Sequence, residues 1–501
     1  MTARASQARP SVFRSAWTEV SFVASTCLAQ ILVEYFVSGF ALLIPTVSTD
    51  LSIPENSQTW PASSFSLVVA CFLLIFGRVT DMYGGKIVYV VGLVWLIVWS
   101  LVAGFSTNQV MLNVCRALQG FGPAAFIVSS ISILGKTYIP GPKKNLVFSL
   151  YGFSAVAGFI VGFFFAGLTA QFNVWHWYFW IGCIFACISL VLAMISIPLD
   201  LKETRKHGVK MDYWGAITLT AGQVFVVYAL IDSTRAADGW RSPQISVLFS
   251  IGVVFLVVGT IGESVPRLTN DDPLIPLSIF KIPSFGALLG AMLLSFASVG
   301  ILLLYAVYWF ANVIHISPLL QVAYFCPLAL GGFAFALVTG AVLHVVKGTY
   351  LLWFSAAAYM VCPLLFIYAP VPGNSLTRFW AYIFPAMICG TLGIDVTFNV
   401  ANIFISTSLD EKQQGLAGSL IQDCLELGIV LGLGFAEILN QQYRDRGFTF
   451  EESYQRVFWL ELGFAAAGFV LAVLFVKVGK QEAELITHET EPKQSLSMPD
   501  P

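Results

Sequence analysis

Glu34, Arg116, Asp395, Asp423 and Glu426 stand deep inside long apolar stretches, with Glu437 and Glu461 nearer the ends of theirs. An ionisable group in a bilayer-spanning helix costs roughly 2.5–3.5 kcal/mol on insertion scales, so such groups face a bundle interior or a wet cavity and mark ion or substrate paths. Glu34 lies in a stripe with Gln30 and Ser38 at spacings of four, which puts all three on one helical face. Arg116 shares a face with Asn113, Gln119 and Gly120. A carboxyl in a dry pocket holds its proton and a neighbouring guanidinium releases it. If the two stripes meet, their approach and separation would move a proton; the alternative is a permanent structural ion pair. Asp423 and Glu426, three apart, share a face on which two charges cannot both form cheaply. They form either a proton-accepting wall or a pair satisfied by cavity water and backbone. Asp395 and Asn399 give another polar stripe at spacing four, a candidate cavity lining. Tyr305 and Tyr308, beside Trp309 and Phe310, read either as a stacking wall for a planar ligand or as anchors at the membrane surface, the second being preferred. Glu437 and Glu461 read as interfacial.

The chain that must position these groups has 501 residues, of which 57% are hydrophobic and only 11% charged, with a mean hydropathy of +0.80. Soluble proteins are about a quarter charged, so this surface is solvated largely by lipid. Fourteen spans of roughly 20 residues would use about 290 residues, near the apolar content. A net charge of −2 leaves no basic field for nucleic acid. All nine cysteines lie in apolar segments with no CxxC pair, so neither a disulfide framework nor a metal site is indicated. Cys183 and Cys187, and the pairs Gly158–Gly162 and Gly428–Gly432, read as small residues for close helix approach.

Uninterrupted apolar stretches predict helices near 20–43, 62–80, 87–106, 110–133, 147–169, 177–198, 213–232, 244–262, 285–311, 320–343, 349–368, 379–401, 415–438 and 456–477. The fold class is an all-α polytopic membrane protein. With both termini cytoplasmic, nineteen of the 26 Lys and Arg residues fall in inside segments and six outside, which sets the orientation. Linkers near 199–212 and 263–284 bracket two helices and divide the chain into an N-terminal segment (1–19), a six-helix bundle (20–198), two extra helices (199–284), a second six-helix bundle (285–477) and a polar tail (478–501). Two comparable halves with a path between them is a transporter arrangement. The interiors of the two extra helices carry little that is strongly polar beyond Gln223.

Several motifs sit on this scaffold. Gly77-Arg-Val-Thr-Asp81-Met-Tyr-Gly84-Gly85-Lys86 joins spans two and three, and Arg116-Ala-Leu-Gln119-Gly120-Phe-Gly122-Pro123 lies on span four. Together they resemble the first-loop and fourth-helix signatures of the major facilitator superfamily, which implies a conformational-switch loop at Gly77, Asp81, Gly84 and Lys86. Tyr151-Gly152 through Gly158-xxx-Gly162 resembles the superfamily's antiporter signature, with Phe163 where that signature has proline. Asp212-Tyr-Trp-Gly215, Gly239-Trp240 and Pro273-Leu-Ile-Pro276 resemble the fourteen-span drug:proton antiporter branch. Thr59-Trp60-Pro61 with Lys143-Lys144-Asn145 is similar to its fungal aminotriazole-resistance-type members. The resemblance covers about residues 20–478 and implies the major facilitator fold. It also places the first-span acid at Glu34, where aspartate is usual. Gly340 to Gly348 echoes the first-half loop, with His344 at the place of Asp81.

The expected function is secondary active export of small organic compounds (a drug, toxin or secondary metabolite), by proton antiport with alternating access. Proton-coupling candidates are Glu34, Arg116, Asp423 and Glu426. Cavity candidates are Gln30, Ser38, Asn113, Gln119, Tyr305, Tyr308, Asp395 and Asn399. Gly152, Gly158 and Gly162 belong to the antiporter-motif helix. Expected partners are a small-molecule substrate, protons and the lipid bilayer, with no nucleic acid and no cofactor, in a monomer. The expected location is the plasma membrane, with the vacuolar membrane as the alternative. The rival is an importer or facilitator for a siderophore or small polar solute. A nutrient sensor would be expected to carry a long signalling tail. An enzyme is disfavoured because no HExxH or GxSxG spacing occurs, and no phosphate-binding loop is present to use ATP.

Overall fold

The computed structural model describes residues 10, 12–138, 141–197, 210–236, 238–265, 269, 273–342, 346–371, 373–408 and 411–478. His344, most of the 199–212 linker, residues 1–9 and residues 479–501 of the expected tail lie outside them. Every regular element among the described residues is helical. The first bundle comprises α1 (Ala16–Asp50), α2 (Trp60–Tyr83), α3 (Gly85–Ala103), α4 (Gln109–Thr137), α5 (Pro142–Gln171) and α6 (His176–Ser196). The extra pair is α7 (Tyr213–Asp232) and α8 (Pro243–Gly262). The second bundle comprises α9 (Phe285–Asn312), α10 (Pro318–Val342), α11 (Gly348–Ile367), α12 (Phe384–Ser408), α13 (Glu411–Asp445) and α14 (Phe450–Phe475). Among the described residues fourteen helices are long and apolar enough to span a bilayer, and the even number brings the end of α14 back to the side where α1 starts, called here the terminal side.

Several helices run past the apolar stretch that predicts them, because polar caps extend them. Ser15 and Thr18 form a reciprocal capping box that starts α1 at Ala16, with Thr18 N–H donating to Ser15 Oγ at 3.2 Å. Thr449 and Glu452 do the same for α14, six residues ahead of the expected start. α1 runs through to Asp50 by way of a π-turn at Tyr35–Gly39. α2 and α3 reverse at Gly84, whose φ of 96° only glycine adopts freely.

Helix pairing reveals an internal repeat. Within the first bundle α1 packs on α5 and α6, α2 on α4, and α3 on α4 and α6. Within the second α9 packs on α13 and α14, α10 on α12, and α11 on α12 and α14, which is the same set displaced by eight helices. The bundles meet through α2 against α13 and α5 against α10, again exchanged by that displacement. α7 packs on α8 and also reaches both α2 and α13, so it lies over one of the two seams between the bundles.

Candidate functional site

The π-turn follows directly on Glu34, and a widened turn leaves carbonyls free to accept bonds from elsewhere. Arg116 uses one of them. It is fully enclosed, donating from Nη2 to the Phe36 carbonyl at 2.8 Å, from Nε to the Pro61 carbonyl at 3.0 Å and from Nη1 to Gln119 Oε1 at 3.3 Å. Its guanidinium lies over the rings of Phe40 and Phe65, 4.2 and 4.4 Å from their centres. The expected meeting of Arg116 with Glu34 is therefore replaced: among the described residues no ion pair joins them, and the cation is answered by backbone and aromatic faces. Gln119, expected to line a cavity, is buried and donates to Ser100 Oγ at 2.9 Å, tying α4 to α3. The Asn113 Oδ1 is buried without a partner in the described structure.

The Glu34 side is held by glycine. A Cβ on Gly158 would stand 2.6 Å from the Ile31 carbonyl oxygen and 2.9 Å from the Glu34 Cβ, and one on Gly162 would stand 2.9 Å from the Tyr35 Cα. These two motif residues let α5 lie directly on α1 at the acid, whereas Gly152 faces open space. Ser38 turns its hydroxyl back to the Glu34 carbonyl at 2.5 Å, and Gln30 is half-buried one turn before.

Four carboxyls from three helices gather at this level. Glu34 lies within electrostatic reach of Asp395 of α12 and of Glu426 of α13, and Glu426 in turn of Asp423. Taken in order of these pairings they form a row, Asp395–Glu34–Glu426–Asp423, in which the one acid of the first bundle stands between acids of the second. No basic side chain pairs with any of the four among the described residues. Single polar groups serve them instead. Thr391 donates to Asp395 at 2.8 Å, Ser66 of α2 hydrogen-bonds Glu426, and Gln223 of α7 donates to Asp423 Oδ2 at 3.4 Å. Asp423 Oδ1 and Glu426 Oε2 are buried and without partners in the described structure. Asn399, one turn beyond Asp395, is half-buried. Ser66 and the Gln223–Asp423 contact are absent from the sequence reading. A serine inside a helix carries no signal, while Gln223 stood out only as a lone polar residue.

Two further expectations are corrected. Tyr305 and Tyr308 are neither surface anchors nor part of the acid row. They are buried in the second bundle against Tyr454, and the Tyr305 hydroxyl donates to Glu437 Oε2 at 3.1 Å. Glu437 and Glu461 are fully buried rather than interfacial, Glu461 accepting from Ser298 at 3.4 Å.

In the switch loop Lys86 donates to the Ile197 carbonyl at the end of α6. A Cβ on Gly77 would approach Ser419 of α13 at 3.9 Å, across the seam. Arg78 donates to the Pro273 carbonyl at 2.7 Å, so the loop that bears Asp81 is tied to the segment leading into α9. The neighbouring Leu274 N–H donates to Asp212 at 3.0 Å and Ile275 N–H to Glu263 at 3.3 Å, which fixes the same segment to the starts and ends of α7 and α8.

Comparison with known proteins agrees with this architecture. The Major Facilitator Superfamily model matches residues 26–433. The chain is 30% identical over 465 residues to efflux pump terJ of Aspergillus terreus, covering 91% of this chain and 88% of that one. It is 31% identical to the low affinity ammonium transporter of Saccharomyces cerevisiae, over 91% and 88% of the two chains. It is 28% identical to the aminotriazole resistance protein of the same yeast, over 93% and 85%. Among solved structures, a POT family transporter in complex with a thioalcohol-conjugated peptide shares the fold, with a TM-score of 0.65 at 13% identity over 90% of this chain and 96% of that one. The repeated bundles, the seam between them and these relatives establish a membrane transporter rather than an enzyme, and the chain belongs to the major facilitator superfamily.

Proposed function

We propose that this transporter exports small organic compounds in exchange for protons, with both termini in the cytoplasm of a cell whose plasma membrane it spans. The observation that carries the reading is the group of four carboxyls without a cation among the described residues, Asp423 and Glu426 buried and Glu34 and Asp395 half-buried, shared between halves that must move against each other. Acids this close to one another and without a cation cannot all ionise cheaply, which suits the row to carry a proton. A change in water access at the seam then changes which face can take it. Relatives that include an efflux pump and a resistance protein support outward transport of organic compounds. The ammonium transporter relative, together with Phe163 in place of the motif's proline, supports the second reading, import or facilitation of a small polar solute.

The test is reconstitution in liposomes holding a pH-sensitive dye, with aminotriazole, planar cationic dyes and ammonium supplied under an imposed pH gradient. Export coupled to protons gives compound-dependent proton flux that Glu34→Gln lowers at least about tenfold, since removing one coupling step of more than 1.4 kcal/mol changes a rate by that factor. Compound flux that proceeds without proton movement, equal in wild type and Glu34→Gln, supports the second reading and returns Glu34 to a structural role.

A further inference from the structure

The seam between α2 and α13 is covered by α7, a helix outside the twelve that form the repeated bundles. One face of α7 touches both sides. Thr220 donates to the Cys71 carbonyl of α2 at 3.1 Å, and Gln223, three residues on, donates to Asp423 of α13 at 3.4 Å. Toward the far side Trp60 of α2 packs edge-on against Tyr228, 5.4 Å between ring centres, and Leu230 and Ile231 lie over Gly434 of α13. Trp60, Leu67, Cys71, Val227, Ile231 and Val430 make one apolar cluster drawn from all three helices. Past the end of α7, Asn56 and Thr234 exchange bonds through the Asn56 side-chain amide and the Thr234 hydroxyl, each to the other's carbonyl, at 3.3 and 3.1 Å.

A carboxyl that alternates between charged and neutral needs a neighbour able to serve both forms. A primary amide does so, since its NH₂ donates to a carboxylate and its carbonyl accepts from a carboxylic O–H after a flip. Lysine or arginine would fix the charged form, and an apolar side chain would serve neither. The ionisable groups facing Asp423 are Cys71 of α2 and, on its own helix, Cys424 and Glu426; none is a base. Gln223 is therefore the one donor that reaches the Asp423 carboxyl among the described residues.

We infer that Gln223 is a positioning residue for the acid row, holding Asp423 in both protonation states and making the extra helix pair part of ion coupling. The inference rests on the reading that the acid row carries protons. Its test needs no transported compound: infrared titration of the protonated-carboxyl band of the purified chain in lipid, compared across variants. In Asp423→Asn one titrating component disappears. In Gln223→Leu that same component moves to higher pH by about one unit, because the bond donated to the charged carboxylate is the stronger of the two the amide can make and its loss exceeds that of the bond to the neutral form. Thr220→Val, which removes only the neighbouring contact of α7 with α2, leaves it in place. Gln223→Met serves if the leucine variant does not fold. A component that stays put in the Gln223 variants, or moves as far in Thr220→Val, overturns the inference while leaving the acid row intact. If Asp423→Asn removes no component, the coupling reading fails at Asp423, and the inference falls with it.

Discussion

A guanidinium enclosed by α1, α2 and α4 must find acceptors inside the protein, and Arg116 finds them in two backbone carbonyls, one of which the π-turn after Glu34 presents. A planar fork with donors on three nitrogens spans the Phe36 and Pro61 carbonyls and lies between two rings, which the compact ammonium of lysine cannot do. Arg116→Lys should therefore lower thermal stability, since each buried carbonyl left without its donor costs about 1–3 kcal/mol. Glu34→Gln should leave the melting temperature unchanged or raise it, because among the described residues no cation compensates that half-buried carboxyl and glutamine removes the cost of its charge. Thermal unfolding of the two variants in the same lipid–detergent mixture separates the possibilities. An equal loss in both would mean that the two residues form an ion pair after all.

At the scale of helices, the same contrast applies to the glycines of α5. A methyl on Gly158 meets the Ile31 carbonyl oxygen at 2.6 Å, where backbone cannot yield cheaply, whereas a methyl on Gly152 meets nothing within 4 Å. Gly158→Ala should cost about 1–3 kcal/mol by overpacking and displace Glu34, while Gly152→Ala should be silent in the same melting assay. Equal behaviour would show that α1 and α5 are not packed through that face. The extra pair α7–α8 has its own sensitivity at the terminal side. Asp212 accepts from Gly215 N–H at 2.9 Å to cap α7, and Glu263 lies buried beside it. Burial, with the Asp212 carboxyl as a second cause, raises Glu263 from 4.5 to about 8. Between those values the folded chain holds a proton that the unfolded chain has released. The contribution of this group to stability is then complete below 4.5 and lost as pH rises through about 8. The melting temperature should fall across that window in wild type and fall less in Glu263→Gln; parallel curves would place the titrating group elsewhere.

At the scale of the molecule, the number, order and approximate limits of the helices were legible because lipid demands an uninterrupted apolar run for every crossing. Their ends were not, since α14 begins at a capping box whose residues are polar. The candidate site was legible as a set of costly residues, of which Asp395, Glu34, Glu426 and Asp423 each lie within electrostatic reach of the next. What a one-dimensional pattern leaves open is which stripe faces which: Arg116 is answered here by backbone carbonyls and aromatic faces, and Tyr305 lies inside the second bundle rather than at the membrane surface. Phe163 illustrates the same limit. In the sequence it is a missing proline; in the fold it stacks on Phe159 at 4.5 Å and meets Phe325 of α10 at 4.6 Å between ring centres, sealing the α5–α10 seam. α5 and α10 also touch at Phe153 and Phe333, nearer the terminal side, so the seam is closed by aromatic contacts at two levels. Such pairs are worth about 0.5–1.5 kcal/mol each beyond the area they bury, enough to set how often the seam opens without holding the bundles together. Phe163→Ala should therefore loosen only the level farther from the terminal side. Hydrogen exchange of residues 318–326 should quicken severalfold while the segment around Phe333 keeps its wild-type rate. A uniform rise along α10 would mean that the substitution unfolds the helix, and no rise would mean that the bundles do not separate through this seam.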